Sequence, residues 1–243
     1  MTHFGHFADP APIRGSTAAP APTTQRELWA RARALAGRTL GDLAAALALP
    51  LPQDPARSKG YLGRLTELAL GADPTALERP DFPHLGVELK TLPIGPNGRP
   101  QQSTFVCSIN LAQACDAQWG TSRLRLRLQT VLFVPFEPAP LPHNHRFLPP
   151  LWWRPSPEAW AALQGDWEDL MGAIGAGRGA NLSAREGKVL QVRPKAANAR
   201  VRTLGPAEDG LQAMLPLGFY LRARFVHQLL LDPKNALGPS LSP

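Results

Sequence analysis

The sequence predicts a mixed α/β fold (α+β, helices and strands interspersed), and three observations predict it. Segments with apolar side chains at helical spacing, opened by Ser or Thr, are interspersed with short strand-like runs. One of those runs, Val131 to Phe136 (VLFVPF), is apolar throughout, as a strand covered on both faces must be. Another, Gly86 to Thr91 (GVELKT), alternates apolar and polar side chains, the period of a strand with one buried face.

Residues 1–22 are rich in Pro, Ala and small polar residues and read as a disordered arm. Order is expected from Thr24, where Thr24-Gln25-Arg26-Glu27 spells a capping box ahead of Leu28, Trp29, Ala32 and Leu35. A second start, Thr39-Leu40-Gly41-Asp42, makes a helical hairpin with the first. Leu62, Leu65, Ala69 and Leu70 fall on one face of a third helix that Gly71 terminates. After GVELKT, a Pro96-Asn97-Gly98 turn signal predicts that Ser103 to Ile109 returns as an antiparallel strand beside it. Arg123 to Leu128 alternates Leu and Arg; the alternation favours a strand with a basic face, the preceding Thr121-Ser122 a helix, and both readings stay open. Trp152 and Trp153 read as core anchors, and Ser156-Pro157-Glu158 opens a long helix through Trp160, Leu163, Trp167 and Leu170. Lys188 to Arg193 is a strand, and Leu217 to Phe225 leads into an apolar helix ending near Leu231. The domain expected is thus 23–232, two lobes acting as one unit, with a flexible tail at 233–243.

The chain has 243 residues, enough for a large core, and its 26 Lys and Arg against 19 Asp and Glu leave a net charge of +7. That balance suits nucleic acid or another anionic partner without fixing either. Cys107 and Cys115 have no His neighbours at zinc-site spacing, so free thiols are expected. With no long apolar run and no leader-like N-terminus, the sequence reads as cytoplasmic with no membrane association.

The chemistry concentrates at 79–91, RPDFPHLGVELKT. Glu88 and Lys90 share one face of the predicted strand, and Asp81 precedes a Phe-Pro-His loop able to fold the chain back beside them. Phosphodiester hydrolysis adds negative charge to an anion. Paired carboxylates can hold a divalent cation that offsets this charge, and a neighbouring lysine can orient the attacking water. Glu67, on the preceding helix, is a further candidate acid. Taken alone the trio fits a solvated Glu/Lys face as well. Five Lys or Arg fall between 188 and 202 among small residues, a pattern suited to close approach to a phosphate chain.

With these stretches assembled, the chain resembles the MutH family, strand-discriminating endonucleases of methyl-directed mismatch repair. The resemblance rests, in order, on KGYLGRLTELALGA (59–72), DFPHLGVELKT (81–91), GRPQQSTFVC (98–107), PLWWRPS (150–156), RPKAANA (193–199) and GFYL (218–221). It spans about residues 25 to 231 and implies a restriction-endonuclease-like core, a mixed β-sheet flanked by helices, with two lobes forming a DNA cleft. It also implies the PD-(D/E)xK site: Asp81 and Glu88 with the main-chain carbonyl of Leu89 as ligands of Mg²⁺ (Mn²⁺ as substitute), Lys90 steering the attacking water, and Glu67 as the additional acid. One family lysine is replaced here by Arg127, which keeps the charge but cannot serve as a base. Arg193, Lys195 and Tyr220 match the residues the family uses at GATC, and Lys59 and Gly60 match a DNA-approaching loop. The implied activity is nicking of the unmethylated strand 5′ to the G of GATC in hemimethylated or unmethylated double-stranded DNA. The implied protein is a monomer activated by a MutL-type ATPase. A restriction-type nuclease cutting both strands and a non-cleaving site-specific DNA-binding homologue are the alternatives.

Overall fold

A computed structural model of the chain describes residues 18–51, 60–76, 78–196, 200–207 and 210–239. Its helices, in chain order, are α1 (Gln25–Arg33), α2 (Leu40–Ala46), α3 (Tyr61–Leu70), α4 (Arg123–Arg127), α5 (Pro157–Ala173) and α6 (Ala223–Leu231). Its strands are β1 (Glu88–Pro93), β2 (Thr104–Ser108), β3 (Val131–Glu137), β4 (Arg146–Phe147), β5 (Leu151–Trp153), β6 (Leu190–Pro194), β7 (Thr203–Ala207), β8 (Gly210–Met214) and β9 (Leu217–Leu221).

The central sheet is mixed, and helices flank it, as the fold class required. Strand β3 pairs in parallel with β1 along one edge, Glu88 opposite Val131. Its other edge is shared by β5, antiparallel from Val131 to Phe133, and β4, antiparallel at Phe136 and Glu137. Because strand side chains alternate, Leu132 and Val134 enter one core with Leu28, Trp29, Leu43, Leu62, Leu65 and Trp152. Val131 and Phe133 enter a second core with Leu163, Trp167, Val192, Phe219 and Phe225. Both faces are covered, which is why VLFVPF carries no polar residue. The second core is closed by an antiparallel sheet in the order β2-β9-β6, and a β7–β8 hairpin forms a separate two-stranded sheet that buries Met214 in the same core.

Local signals explain most helix ends. Thr39 and Asp42 form a full capping box, and Ser156 caps α5 through the N–H of Ala159. At α1 the box is shifted: Thr24 accepts from the N–H of Glu27, but the Glu27 carboxylate reaches back to Thr23.

Three expectations are corrected and one open choice, at the Leu/Arg alternation, is decided. Strand β2 does not return beside β1. The Pro-Asn-Gly turn forms, but pairing stops at a single Ile94–Pro100 bridge, since Pro100 has no N–H to extend a ladder. Burial of Val106 and Cys107 then carries β2 to β9. The Leu/Arg alternation is helix α4, not strand: Ser122 caps it, and Leu124 and Leu128, four apart, are buried while Leu126 faces out. Residues 18–22, assigned by composition to the arm, are held against the fold; the N–H of Ala19 donates to Leu68, and Arg31 donates to the Pro20 carbonyl. The described part of the tail also packs, with Pro233–Ala236 a 3-10 helix and Asn235 buried. Residues 1–17 lie outside those described.

Candidate active site and DNA-reading face

Two antiparallel hydrogen bonds between Phe82 and Val87 close a short turn, with Gly86 at φ +65° inside it. The turn folds Asp81 back onto β1, where its Oδ2 accepts from the N–H of Leu89 at 2.8 Å. Since β1 and β3 are parallel, Glu88 and Lys90 share a face with Val131 and Phe133, the face turned toward the second core. Leu89 points the other way, into the first.

Glu88 is fully buried. Its Oε1 accepts from Lys90 Nζ and from Arg127 Nη1, both at 2.6 Å. Its Oε2 is also buried and has no hydrogen-bond partner among the described residues. A carboxylate oxygen removed from water without a partner is costly, and an electropositive ligand would satisfy it. Burial first, and then the neighbouring Glu88, push the Asp81 carboxyl above the usual range. Burial and then Asp81 raise Glu67, whose carboxylate also meets Arg64 at 3.3 Å. For Lys90 burial alone would lower the pKa, but Glu88 and Asp81 outweigh it and hold the amine above its ordinary value, as a cation.

Asp81, Glu88, Lys90 and Arg127 are thus brought together, with Glu67 within electrostatic reach of Asp81. Arg127 also donates to the Ala76 carbonyl at 3.4 Å, tying α4 to the segment leading to Asp81. The donor set fits a hard divalent cation: two carboxylates, one with a bare oxygen, beside the Leu89 main chain. Among the described residues no group of three His, Cys, Asp or Glu side chains could hold a metal, so further ligands would have to be main-chain oxygen or water.

The DNA-reading candidates meet on the second sheet. Tyr220 on β9 lies opposite Phe105 on β2, their rings edge to face at 5.3 Å. The Arg193 guanidinium sits 5.8 Å from the Tyr220 ring and donates to Ser103 Oγ at 3.2 Å. Lys195 Nζ lies 4.5 Å from the Phe105 ring. Each cation is therefore oriented by an aromatic face. Gly60 is the left-handed N-cap of α3, at φ +86°; Lys59 and residues 197–199 lie outside the described residues.

Sequence reasoning missed three participants. Phe105 lies on β2 and Ser103 just before it, and β2 pairs with β9 rather than with the expected β1. Asp166, buried on α5, accepts from the N–H groups of Lys188, Val189 and Leu190 at 2.6–2.8 Å and anchors the start of β6. An aspartate inside an apolar helical face was the available signal.

Comparison with known proteins gives the family. A family model described as DNA mismatch repair enzyme MutH matches residues 70–166, the span from the end of α3 into α5. The DNA mismatch repair protein MutH of Haemophilus influenzae is 43% identical over 213 residues, covering 86% of this chain and 95% of its own. The chain belongs to the MutH family. MutH of Vibrio cholerae is 42% identical over 214 residues, 87% of this chain and 97% of its own. MutH of Histophilus somni is 43% identical over 220 residues, 89% and 98%. At the level of family, the expectation of an endodeoxyribonuclease acting in DNA mismatch repair is borne out. Among the described residues no helix is long and apolar enough to cross a membrane.

Proposed function

We propose that this MutH-family chain is a Mg²⁺-dependent endonuclease that nicks the unmethylated strand 5′ to the G of GATC. The observation that carries the reading is the bare, buried Glu88 Oε2 beside Asp81, with Lys90 and Arg127 already neutralising the other oxygen. Asp81, Glu88 and the Leu89 carbonyl would hold Mg²⁺ (or Mn²⁺), which when bound supplies Lewis-acid polarisation of the scissile phosphoryl group. Lys90, held charged, orients the attacking water by donating an N–H to its oxygen and offsets the negative charge growing on the phosphoryl oxygens. Arg127 adds a fixed positive charge on the same side and takes no proton. Glu67, whose pKa burial and Asp81 raise, is the additional acid at the edge of the site. Water oxygen bonds to phosphorus and releases a proton to solvent, the bond to the 3′ oxygen breaks and that oxygen takes up a proton from solvent, and the strand is left with a 5′-phosphate and a 3′-hydroxyl.

Arg193 and Lys195 carry donors suited to guanine O6 and N7, and Tyr220 beside adenine N6 would sense a methyl group there. Gly60 and Lys59 would border the DNA backbone. The protein would act in the cytoplasm as a monomer, with a MutL-type ATPase as activator.

A hemimethylated GATC plasmid incubated with Mg²⁺ tests this. Nicked circles are expected from the wild type and none from Asp81→Ala; no nicking by the wild type, or nicking retained by the variant, overturns the reading. Complete double-strand cleavage without an ATPase would indicate the restriction-type alternative. The substitution of Arg127 for lysine favours keeping a second reading in the test: site-specific binding without cleavage in Mg²⁺ or Mn²⁺ would identify a non-cleaving homologue.

A further inference from the structure

The turn between the two acids is gripped from outside by residues to which no role has been given. Gln25, the first residue of α1, donates its Nε2 to the Leu85 carbonyl at 2.8 Å. Its Oε1 accepts from Arg154 Nη2 at 2.7 Å. Arg154 Nε donates to Thr130 Oγ1 at 3.3 Å, and the Thr130 carbonyl accepts from the N–H of Glu88 at 2.9 Å. Leu85 runs on covalently to Glu88, so these bonds close a ring through four separate segments. Beside it, His84 Nε2 lies 2.6 Å from the Pro22 carbonyl. Two adjacent residues of the turn are therefore held from either side of the start of α1.

The ring is not needed to hold α1 in place. Leu28, Trp29 and Ala32 already bury that helix in the first core. Partly exposed hydrogen bonds of this kind add only modestly to stability. What the ring restrains is the path from Asp81 to Glu88, and groups behind metal-binding carboxylates control their geometry. We infer that Gln25, backed by Arg154, is a positioning residue for the active site: it fixes the Phe82–Val87 turn and thereby the spacing of Asp81 and Glu88 as a divalent-cation site. This rests on the reading of those acids as the metal site.

Gln25→Glu separates positioning from stability. The carboxylate keeps and strengthens the bond to Arg154 and suits a helix N-terminus, but it has no proton to donate to the Leu85 carbonyl. Calorimetric titration of the full chain with Mn²⁺ is expected to show affinity about 10-fold weaker than wild type. The nicking kcat falls while KM for a GATC duplex holds, and the unfolding midpoint stays at or above that of wild type. Gln25→Leu shows the same loss of affinity with a slightly lower midpoint. If both variants bind Mn²⁺ as the wild type does, the brace is refuted while the metal site stands. Asp81→Asn is the control: wild-type Mn²⁺ binding that survives it overturns the metal site and the brace together.

Discussion

Arg127 and Glu88, 39 residues apart in the chain, meet at 2.6 Å on the same carboxylate oxygen that Lys90 occupies. Glu88 is fully buried and its two cations are largely so, which leaves this trio with a net positive balance. Removing the guanidinium leaves Glu88 with one cation. Arg127→Ala is predicted to lower nicking by about 100-fold or more, in the range for loss of one charge-stabilising donor. Its cost in stability should stay at or below about 3 kcal/mol, the lower end for a broken buried pair, because Lys90 remains. Arg127→Lys should retain most activity, since the charge is kept and a proton acceptor is not required. Single-turnover nicking rates and urea unfolding read both effects; an Arg127→Lys protein as slow as Arg127→Ala would show that the forked geometry, not the charge, matters.

Asp81 is held in a place that disfavours its charge, through burial first and Glu88 second. Its pKa is raised in the fold, so the native state takes up a proton more readily than the unfolded chain. Without metal, this part of the stability is lost as pH rises and regained as pH falls toward the unfolded value. Asp81→Asn, which keeps an acceptor for the Leu89 N–H, is therefore predicted to stabilise the metal-free protein by about 0.5–2 kcal/mol at neutral pH while abolishing nicking. Thermal unfolding in EDTA checks it, and a lower midpoint counts against the electrostatic account.

Gly218 stands opposite Arg193 across β9 and β6. A Cβ placed there would lie 2.8 Å from Phe105 Cε2, 3.2 Å from the Cys107 carbonyl and 3.4 Å from Lys195 Cβ. Gly218→Ala should displace the Phe105 ring and the Lys195 stem that rests on it, at a packing cost of about 1–3 kcal/mol. Affinity for a GATC duplex is predicted to fall about 10-fold, or about 1.4 kcal/mol. Fluorescence anisotropy with specific and scrambled duplexes measures this, and an equal loss on both would show that base reading is not what Gly218 protects.

Asp166 satisfies three main-chain N–H groups at the start of β6. Asp166→Ala leaves these donors, of which that of Leu190 is buried, without their acceptor and should cost about 1–3 kcal/mol. Urea denaturation gives the value. Hydrogen exchange should rise first at 188–190, the end of β6 remote from Arg193.

What the sequence determined by itself is what neighbouring residues settle among themselves. The Thr39–Asp42 box, the Ser156 cap and the Gly71 stop each need only a few consecutive residues. The meeting of Asp81 with the β1 backbone belongs here too, because Phe82 and Val87 bond across a loop too short to go elsewhere. Tertiary structure decided everything that depends on which faces are covered. Strand β2 left the turn that aimed it at β1 because Val106 and Cys107 gain more burial in the second core, and a proline ended the first ladder. Alternating Leu and Arg became α4 because burying Leu124 and Leu128 against that core outweighs a strand period that would also bury Leu126. That choice turned Arg127 toward Glu88, and distant packing likewise joined Gln25 to Arg154 and Tyr220 to Phe105. Periodicity records how often a side chain points inward; only the assembled cores fix what it finds there.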